Sequence, residues 1–295
     1  MDMFCRQCEQ AVGQKACVAN KGVCGKSSNV AALQDLLIHS LKGIAIYGKM
    51  AGDLGIRDKN VDLFIIEGLF TTVTNVNFDE TRLEEIIFES YKIKEHIKKI
   101  FLEAYKINRG KEFKEILPEI TNWSPSHTLE ELVEQGSHVG VLSDPNLNED
   151  IRSLREILLY GLKGMAAYAD HAFILGKENE AVNSFFYKGL SALTDDSSSA
   201  DDLVALIMEF GQVNLKCLEL LDGAHVEHFG NPVPTKVFMG VRKGPAIVVS
   251  GHDLLDLEEL LQQTEGKGIN VYTHSEMLPA HGYPQLKKYK HLAGH

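Results

Sequence analysis

The sequence predicts a multidomain protein, α then α/β: two tandem three-helix bundles followed by an incomplete parallel-sheet (Rossmann-like) α/β domain. Three observations predict this fold class. An apolar helical pattern occurs twice at one constant offset, a strand–helix–strand pattern occupies residues 236–295, and four of the five cysteines crowd into residues 1–30. The first two observations define the architecture, and the third marks the segment where function is expected.

The helical pattern is an internal repeat. LQDLLIHSLKGIAIY at 33–47 matches LREILLYGLKGMAAY at 154–168, and VDLFIIEGLF at 61–70 matches VNSFFYKGLS at 182–191. A gapless offset of 121 residues relates both pairs, which indicates two copies of one unit. Apolar residues at three- and four-residue steps predict three helices in each copy. The predicted helices run over about 31–54, 60–74 and 79–106, and over about 151–175, 179–193 and 199–221, with Asn29 expected to cap the first.

The pattern divides the chain into five segments. Pro118, Trp123, Pro125 and Pro145 interrupt the region between the two copies, where one short helix is predicted at about 128–136. The predicted segments are a cysteine-rich cluster-binding loop at 1–30, bundle 1 at 31–110, an irregular linker at 111–148, bundle 2 at 149–235 and the start of an α/β domain at 236–295.

The last segment predicts a βαβ unit. PAIVVSG is a β-branched run, HDLLDLEELLQQTEGKG is an amphipathic helix with a glycine stop, and INVYTH is a second strand. Short connections between strand, helix and strand imply a parallel sheet. One such unit does not cover both faces of a sheet. We therefore expect this domain to be truncated at His295.

Composition and charge argue against nucleic-acid binding, a membrane span and secretion. The chain of 295 residues carries a formal net charge of −11, and an acidic protein repels the phosphates of nucleic acids. No run of about 18 apolar residues predicts a membrane span. The start MDMFCRQCEQ lacks the basic and apolar regions of a signal peptide. A cytoplasmic location is expected, where close cysteines favour metal or redox roles over structural disulfides.

The four N-terminal cysteines form a metal-site pattern. Cys5, Cys8, Cys17 and Cys24 follow the spacing C-x2-C-x8-C-x6-C. Thiolates suit iron–sulfur clusters and zinc, and one loop can supply the four thiolates of a cluster. Zinc sites more often show two separated close pairs. The spacing therefore favours iron–sulfur, with zinc and free thiols as alternatives, while Cys217 lies in an apolar helical pattern typical of a core thiol.

A second pair of candidate ligands follows the two predicted strands. His252 comes directly after the first strand and Glu276 directly after the second. Ligands of open parallel sheets bind beyond the carboxyl ends of the strands, so these side chains are suited to share a metal site. His274 and His281 compete with Glu276 for that role, and a capping or surface role is the simpler interpretation of His252 alone.

Other polar residues favour structural interpretations. The H-x-E-H run of His225, Glu227 and His228 resembles a metal pair, but a solvated turn at the end of the last bundle helix explains it more simply. His39 and His171 fall on bundle helices, where packing roles are expected. The lysines of both LKG motifs, Lys42 and Lys163, are expected to be structural.

Taken together, the motifs resemble the hybrid cluster proteins, also called prismane proteins or hydroxylamine reductases. The resemblance lies in MFCRQCEQ, GVCGK, LQDLLIHSLKGIAIYG, LKGMAAYA, SGHDL, QQTEGKG and VYTHSEMLPAHGYP. It covers essentially the whole chain, in order.

The resemblance implies a fold and two clusters. Two three-helix bundles would be followed by two α/β domains. Cys5, Cys8, Cys17 and Cys24 would hold a [4Fe–4S] cluster, as in the class whose spacing is closer, or a [2Fe–2S] cluster, as in another class. His252 and Glu276 match two ligands of a hybrid [4Fe–2O–2S] cluster.

The resemblance also implies an activity: reduction of hydroxylamine to ammonia and water, or reduction of nitric oxide, with a redox donor supplying electrons at the N-terminal cluster. In the family, further cysteines and a glutamate complete the hybrid cluster, and this chain has no cysteine after Cys217. We therefore expect a fragment, a truncated product, or one half of a split protein that a C-terminal partner chain completes. An electron-transfer module without catalysis and a zinc-stabilised scaffold remain as alternatives.

Overall fold

The computed structural model describes residues 3–295, apart from the side chain of Gln14. The chain divides into two compact units. The helical unit contains the residues up to Asp170 and Glu178–Leu218, and the α/β unit contains His171–Lys177 and Glu219–His295. The helices are α1 (Ser28–Gly52), α2 (Lys59–Phe70), α3 (Glu80–Arg109), α4 (Leu129–Ser137), α5 (Glu149–Ile174), α6 (Glu180–Ala192), α7 (Ala200–Phe229), α8 (Leu254–Thr264) and α9 (Pro284–Lys287). The strands are β1 (Ala246–Ser250), β2 (Asn270–His274) and β3 (Leu292–Gly294).

The predicted fold class is confirmed, and the repeat extends through all three helices of each copy. The bounds of α1, α2 and α3 differ from those of α5, α6 and α7 by 120–122 residues. The two copies also turn alike after their first helix, because Gly55 and Gly176 both adopt a left-handed φ of 77°. Glycine reaches this conformation without steric cost, which explains why it recurs in both copies.

Equivalent contacts pack each copy of the bundle. In the first copy, a Cβ on Gly68 would lie 3.0 Å from Leu41, and in the second a Cβ on Gly189 would lie 2.9 Å from Leu162. Both leucines are fully buried. Because glycine has no side chain, α2 can approach α1 closely in the first copy and α6 can approach α5 closely in the second. The same close helix contact therefore packs the core of both copies.

Helix α1 is the central helix of this unit. It packs against α3, α4 and α6, and most of its side chains are buried. Of the helices described, it alone is long and apolar enough to cross a membrane, and 83% of its apolar window is buried inside the structure. Its high hydropathy is thus explained by burial on nearly all sides.

The cap of α1 differs from the prediction. Ser27, not Asn29, is the N-cap residue, and its hydroxyl accepts a hydrogen bond from the Val30 N–H at 3.1 Å. Asn29 donates instead to Glu80 at the start of α3, and the Ser27 hydroxyl donates to the same carboxylate at 2.9 Å. Glu80 therefore ties the end of the cysteine loop to α3.

The α/β unit contains a parallel sheet in the order β1-β2-β3. Strands β1 and β2 pair from Ala246↔Asn270 to Ser250↔His274, so their carboxyl ends are level. Helix α8 connects them, with the Asp253 side chain capping its start at 2.8 Å from the Asp256 N–H. The predicted βαβ unit is present, and β3 is an additional strand that the short apolar run at 292–294 did not reveal.

Candidate metal centre

The backbone of the cysteine loop brings distant cysteines together. Cys5 and Cys17 face each other in an antiparallel bridge, in which each N–H donates to the other carbonyl at 3.0 and 2.8 Å. A second bridge joins Lys21 and Ser27, and it folds the chain back at Gly22, whose N–H donates to the Lys26 carbonyl at 2.8 Å. Local hydrogen bonding, without regular helix or strand, therefore shapes the loop.

The four thiols line one small cavity. Cys5, Cys8, Cys17 and Cys24 all contribute to its wall. A Cβ on Gly22 would lie 3.7 Å from the Cys24 Sγ and 3.8 Å from the Cys17 Sγ. Cys17 is buried and Cys24 is exposed, so the cavity reaches from the interior to the surface of the loop.

This donor set fits an iron–sulfur cluster. All four cysteines are free thiols, and thiolate is the ligand that iron–sulfur clusters require. In residues 3–295 no three His, Cys, Asp or Glu side chains already surround a single point at metal-ligand geometry. The assignment of ligands therefore rests on the convergence of the thiols on one cavity and on their chemistry.

His252 and Glu276 lie at the same edge of the sheet. Because Ser250 pairs with His274 in register, His252 and Glu276 each follow their strand end by two residues. Both side chains are exposed. The level strand ends thus place an imidazole and a carboxylate beyond neighbouring strands, as expected from the sequence.

His171 is a residue whose importance sequence reasoning missed. It belongs to the α/β unit, is only 12% exposed, and its Nδ1 lies 3.0 Å from the Asp253 Oδ2. Its ring meets the His252 ring edge-on, with centroids 5.2 Å apart. The hydrogen bond with His171 lowers the pKa of Asp253 to about 2. His171 therefore orients the segment that carries His252, a role that no local motif signals.

The two competing histidines have other partners. The Nδ1 of His274 lies 2.9 Å from the Ser250 hydroxyl, which joins the ends of β1 and β2. His281 is buried, and its Nε2 lies 2.8 Å from the Thr273 hydroxyl. Burial lowers the pKa of His281, so it remains a neutral hydrogen-bonding residue of the core.

The H-x-E-H run does not converge on a common point. It lies within α7, which extends to Phe229, and therefore not in the solvated turn that was expected. Glu227 pairs with Lys177 at 2.7 Å, and His228 lies 2.9 Å from Glu258. His225 packs against the rings of Phe229 and Tyr283. A structural role accounts for all three residues.

The fifth cysteine lies apart from the loop. Cys217 is buried in the core of the helical unit, where its thiol contacts the Met165 carbonyl at 3.6 Å. Burial raises its pKa to about 11, so it remains protonated and unreactive. The expectation of a core thiol is confirmed.

Comparison with known proteins identifies the family of the chain. Residues 3–295 match the Prismane/CO dehydrogenase family. The chain is 53% identical over 294 residues to a hydroxylamine reductase of Halothermothrix orenii, covering 100% of this chain and 52% of that protein. It is 52% identical over 294 residues to a hydroxylamine reductase of Geobacter metallireducens, covering 100% of this chain and 53% of that protein.

The chain spans about half the length of the curated relatives it matches. The match nonetheless covers the cysteine loop, both bundles and the sheet. Identity near one half over the entire chain, together with the family match to residues 3–295, establishes that the chain belongs to the Prismane/CO dehydrogenase family.

Proposed function

We propose that this chain carries an iron–sulfur cluster on Cys5, Cys8, Cys17 and Cys24 and serves an oxidoreductase of the hybrid-cluster type. The observation that carries the proposal is the convergence of four free thiols on one cavity in a chain of this family. The cluster is proposed to be [4Fe–4S], and [2Fe–2S] is the variant to be tested. When bound, it would supply one-electron transfer to and from an external donor.

The protein's residues hold and shield this centre. The Cys5–Cys17 bridge and the turn at Gly22 position three thiols from separate parts of the loop. Lys26 is 2% exposed, donates to the Gln34 Oε1 at 2.6 Å, and lines the same small cavity as the four thiols. A nearby cation stabilises thiolate, which favours cluster binding.

The reaction proposed for the whole enzyme is reduction of hydroxylamine to ammonia and water. The relatives bear the name hydroxylamine reductase. The N–O bond is cleaved, two electrons come from the donor, and two protons complete ammonia and water. Nitric oxide is a second proposed substrate. The location proposed is the cytoplasm, where thiols stay reduced.

His252 and Glu276 are proposed to contribute to the hybrid [4Fe–2O–2S] cluster. An imidazole and a carboxylate alone do not fit a cluster of several irons, so the described residues supply only part of its ligand set. We therefore derive no catalytic step through it. The alternative function is an electron-transfer fragment that needs a C-terminal half or partner chain to become catalytic.

Anaerobic reconstitution followed by metal and sulfide analysis tests the first cluster. About four irons and four sulfides per chain are expected for [4Fe–4S], and about two of each for [2Fe–2S]. Substitution of Cys5, Cys8, Cys17 or Cys24 by serine is expected to remove roughly half or more of the bound iron, because each iron needs its thiolate. Cys217→Ser is the control and is expected to retain full iron.

Two outcomes would contradict this proposal. Zinc without sulfide would favour a zinc-stabilised scaffold, and full iron retention in the serine variants would exclude these ligands. Hydroxylamine turnover with a reduced dye separates the enzyme from the fragment: none is expected from this chain alone. Measurable turnover would refute the conclusion that further ligands are needed.

A further inference from the structure

A second cavity lies inside the helical unit between α1 and α5. Its volume is about 440 Å³, which is in the range of small-molecule sites. Residues of both repeat copies line it, and Cys5 and Lys26 border both this cavity and the small cysteine cavity. We call it the charged cavity, because ionisable side chains dominate its wall.

The repeat places a quartet of charges around the charged cavity. Asp35 and Lys42 on α1 occupy the positions that Glu156 and Lys163 occupy on α5, 121 residues later. Each lysine interacts across the cavity mainly with the acid of the other copy: Lys42 with Glu156, and Lys163 with Asp35. Neither pair forms an ion pair in the described part of the chain, and all four side chains line the cavity.

Within the quartet Lys163 is buried, while Asp35, Lys42 and Glu156 are half-buried at the wall of the cavity. Glu156 accepts a hydrogen bond from the Tyr160 hydroxyl. Lys163 is only 5% exposed, and in the described chain neither its ammonium nor that of Lys42 has a hydrogen-bond acceptor or paired carboxylate. The Lys163 ammonium lies 5.9 Å from the centroid of the Tyr160 ring, and Asp35 is the carboxylate that interacts with it most strongly. Burial lowers the pKa of Lys163 to about 8 and raises that of Asp35 to about 6. Buried charges of this kind are costly unless something pairs them.

The rest of the wall adds positive charge. Arg6, Lys26 and Arg152 also line the charged cavity, and none of them has an ion-paired carboxylate among residues 3–295. The Nε atoms of Arg152 and Arg155 are buried and lack hydrogen-bond partners there. Asp144 and Asp196 also line the cavity, so six cationic side chains stand against four carboxylates. This excess of positive charge, inside a chain whose net charge is −11, favours an anionic ligand.

We propose that the charged cavity binds a phosphate-class anion that carries its own O–H group, either hydrogen phosphate or a small phosphate monoester. Its oxygens accept hydrogen bonds from Lys42 and Lys163, and its O–H donates to the carboxylate of Asp35 or Glu156. Sulfate matches phosphate in shape but has no proton to donate at neutral pH. Sulfate would leave a buried carboxylate facing an anion, so the site rejects it.

The test is calorimetric titration of the 295-residue chain in phosphate-free buffer, with ³¹P line broadening as a second readout. Inorganic phosphate, glycerol phosphate, sulfate and chloride are the probes, and bound iron is not needed for any readout. Lys42→Met and Lys163→Met keep the length of the side chain but remove the charge, and about tenfold weaker phosphate binding is expected for each. Lys49→Met is the control, because Lys49 is an exposed residue of the same helix.

The expected result is one phosphate per chain, with sulfate at least about tenfold weaker. Tighter binding of glycerol phosphate would identify a monoester as the ligand, and tighter binding of inorganic phosphate would identify the free ion. Phosphate binding that survives both lysine substitutions overturns the location. Two results overturn the proposal: sulfate that binds as tightly as phosphate, or no phosphate binding at about 10 mM. Both are measured on the unsubstituted chain, so they do not depend on whether a variant folds.

Discussion

Gly48 lies where α1 passes beneath the ring of Tyr187 from the other copy. A Cβ at Gly48 would overlap that ring. The ring cannot easily move, because its hydroxyl donates to Asp62 and the Arg57 guanidinium lies over its face at 5.6 Å. We expect Gly48→Ala to lower the free energy of unfolding by about 1–3 kcal/mol, measured by urea denaturation.

A second helical glycine provides the control for Gly48. Gly164 lies on α5, is exposed, and a Cβ there would meet nothing within 4 Å. Gly164→Ala is expected to be neutral or to stabilise by about 0.5–1 kcal/mol, because alanine favours helix. If both substitutions changed the free energy of unfolding equally, the close contact between Gly48 and the Tyr187 ring would be contradicted.

Single residues differ in how far the sequence reveals their role. The cysteine spacing alone indicates one metal-binding loop, because the ligands are near neighbours in the chain. His171 and Lys163 could not be interpreted in this way, since their partners Asp253 and Asp35 lie more than 80 residues away. Lys42 and Lys163 were expected to be structural, whereas the structure places both at the wall of the charged cavity.

At the scale of helices, the second helix of each copy has a different N-cap residue. Asp58 caps α2 and accepts from the Asn60 N–H at 2.9 Å, and Asn179 caps α6 through the Ala181 N–H at 2.9 Å. Asp58→Ala removes the acceptor and is expected to cost about 1 kcal/mol in urea denaturation at neutral pH. Asp58→Asn keeps the cap that the second copy uses and is expected to cost less.

Acid titration separates the charge of Asp58 from its capping role. Burial alone would raise its pKa, but hydrogen bonds from His96 and from the backbone outweigh burial and hold the pKa below its usual value. Because its folded pKa is depressed, ionised Asp58 stabilises the folded state at pH values above its unfolded pKa of about 3.9. This stabilisation is lost as the pH falls through the lower folded pKa. Below about pH 4 the difference between wild type and Asp58→Asn should therefore shrink. A constant difference would exclude this contribution.

Helix ends were predicted less well than helix existence. All seven predicted helices of residues 1–235 form, but α7 continues to Phe229 instead of ending near 221. The reason is tertiary: Phe229 is fully buried in the core of the α/β unit and Glu258 engages His228, contacts that lie far along the chain. Strand β3, with three residues, is too short for any pattern to predict.

For the molecule as a whole, charge is distributed unevenly around the cysteine loop. The chain has a net charge of −11, yet residues 5–26 carry the cations Arg6, Lys15, Lys21 and Lys26 and only the carboxylate of Glu9. Lys15 and Lys21 are exposed, as are the apolar side chains of Val12, Val18 and Val23. The surface above the proposed cluster therefore suits an anionic electron donor, although the whole chain repels one.

The salt dependence of the rate of cluster reduction shows whether the cations of the cysteine loop or the net charge of the chain controls the encounter with an anionic donor. If local charge dominates, reduction by anionic dithionite slows as salt rises from about 0.01 to 0.1 M, over which the Debye length falls from about 30 to 10 Å. Lys21→Glu should slow this reduction about threefold or more at low salt. Lys111→Glu, beyond the far end of the 30-residue α3, makes the same change in net charge and should have little effect. Faster reduction at higher salt, or equal effects of the two variants, would mean that the net charge controls the encounter.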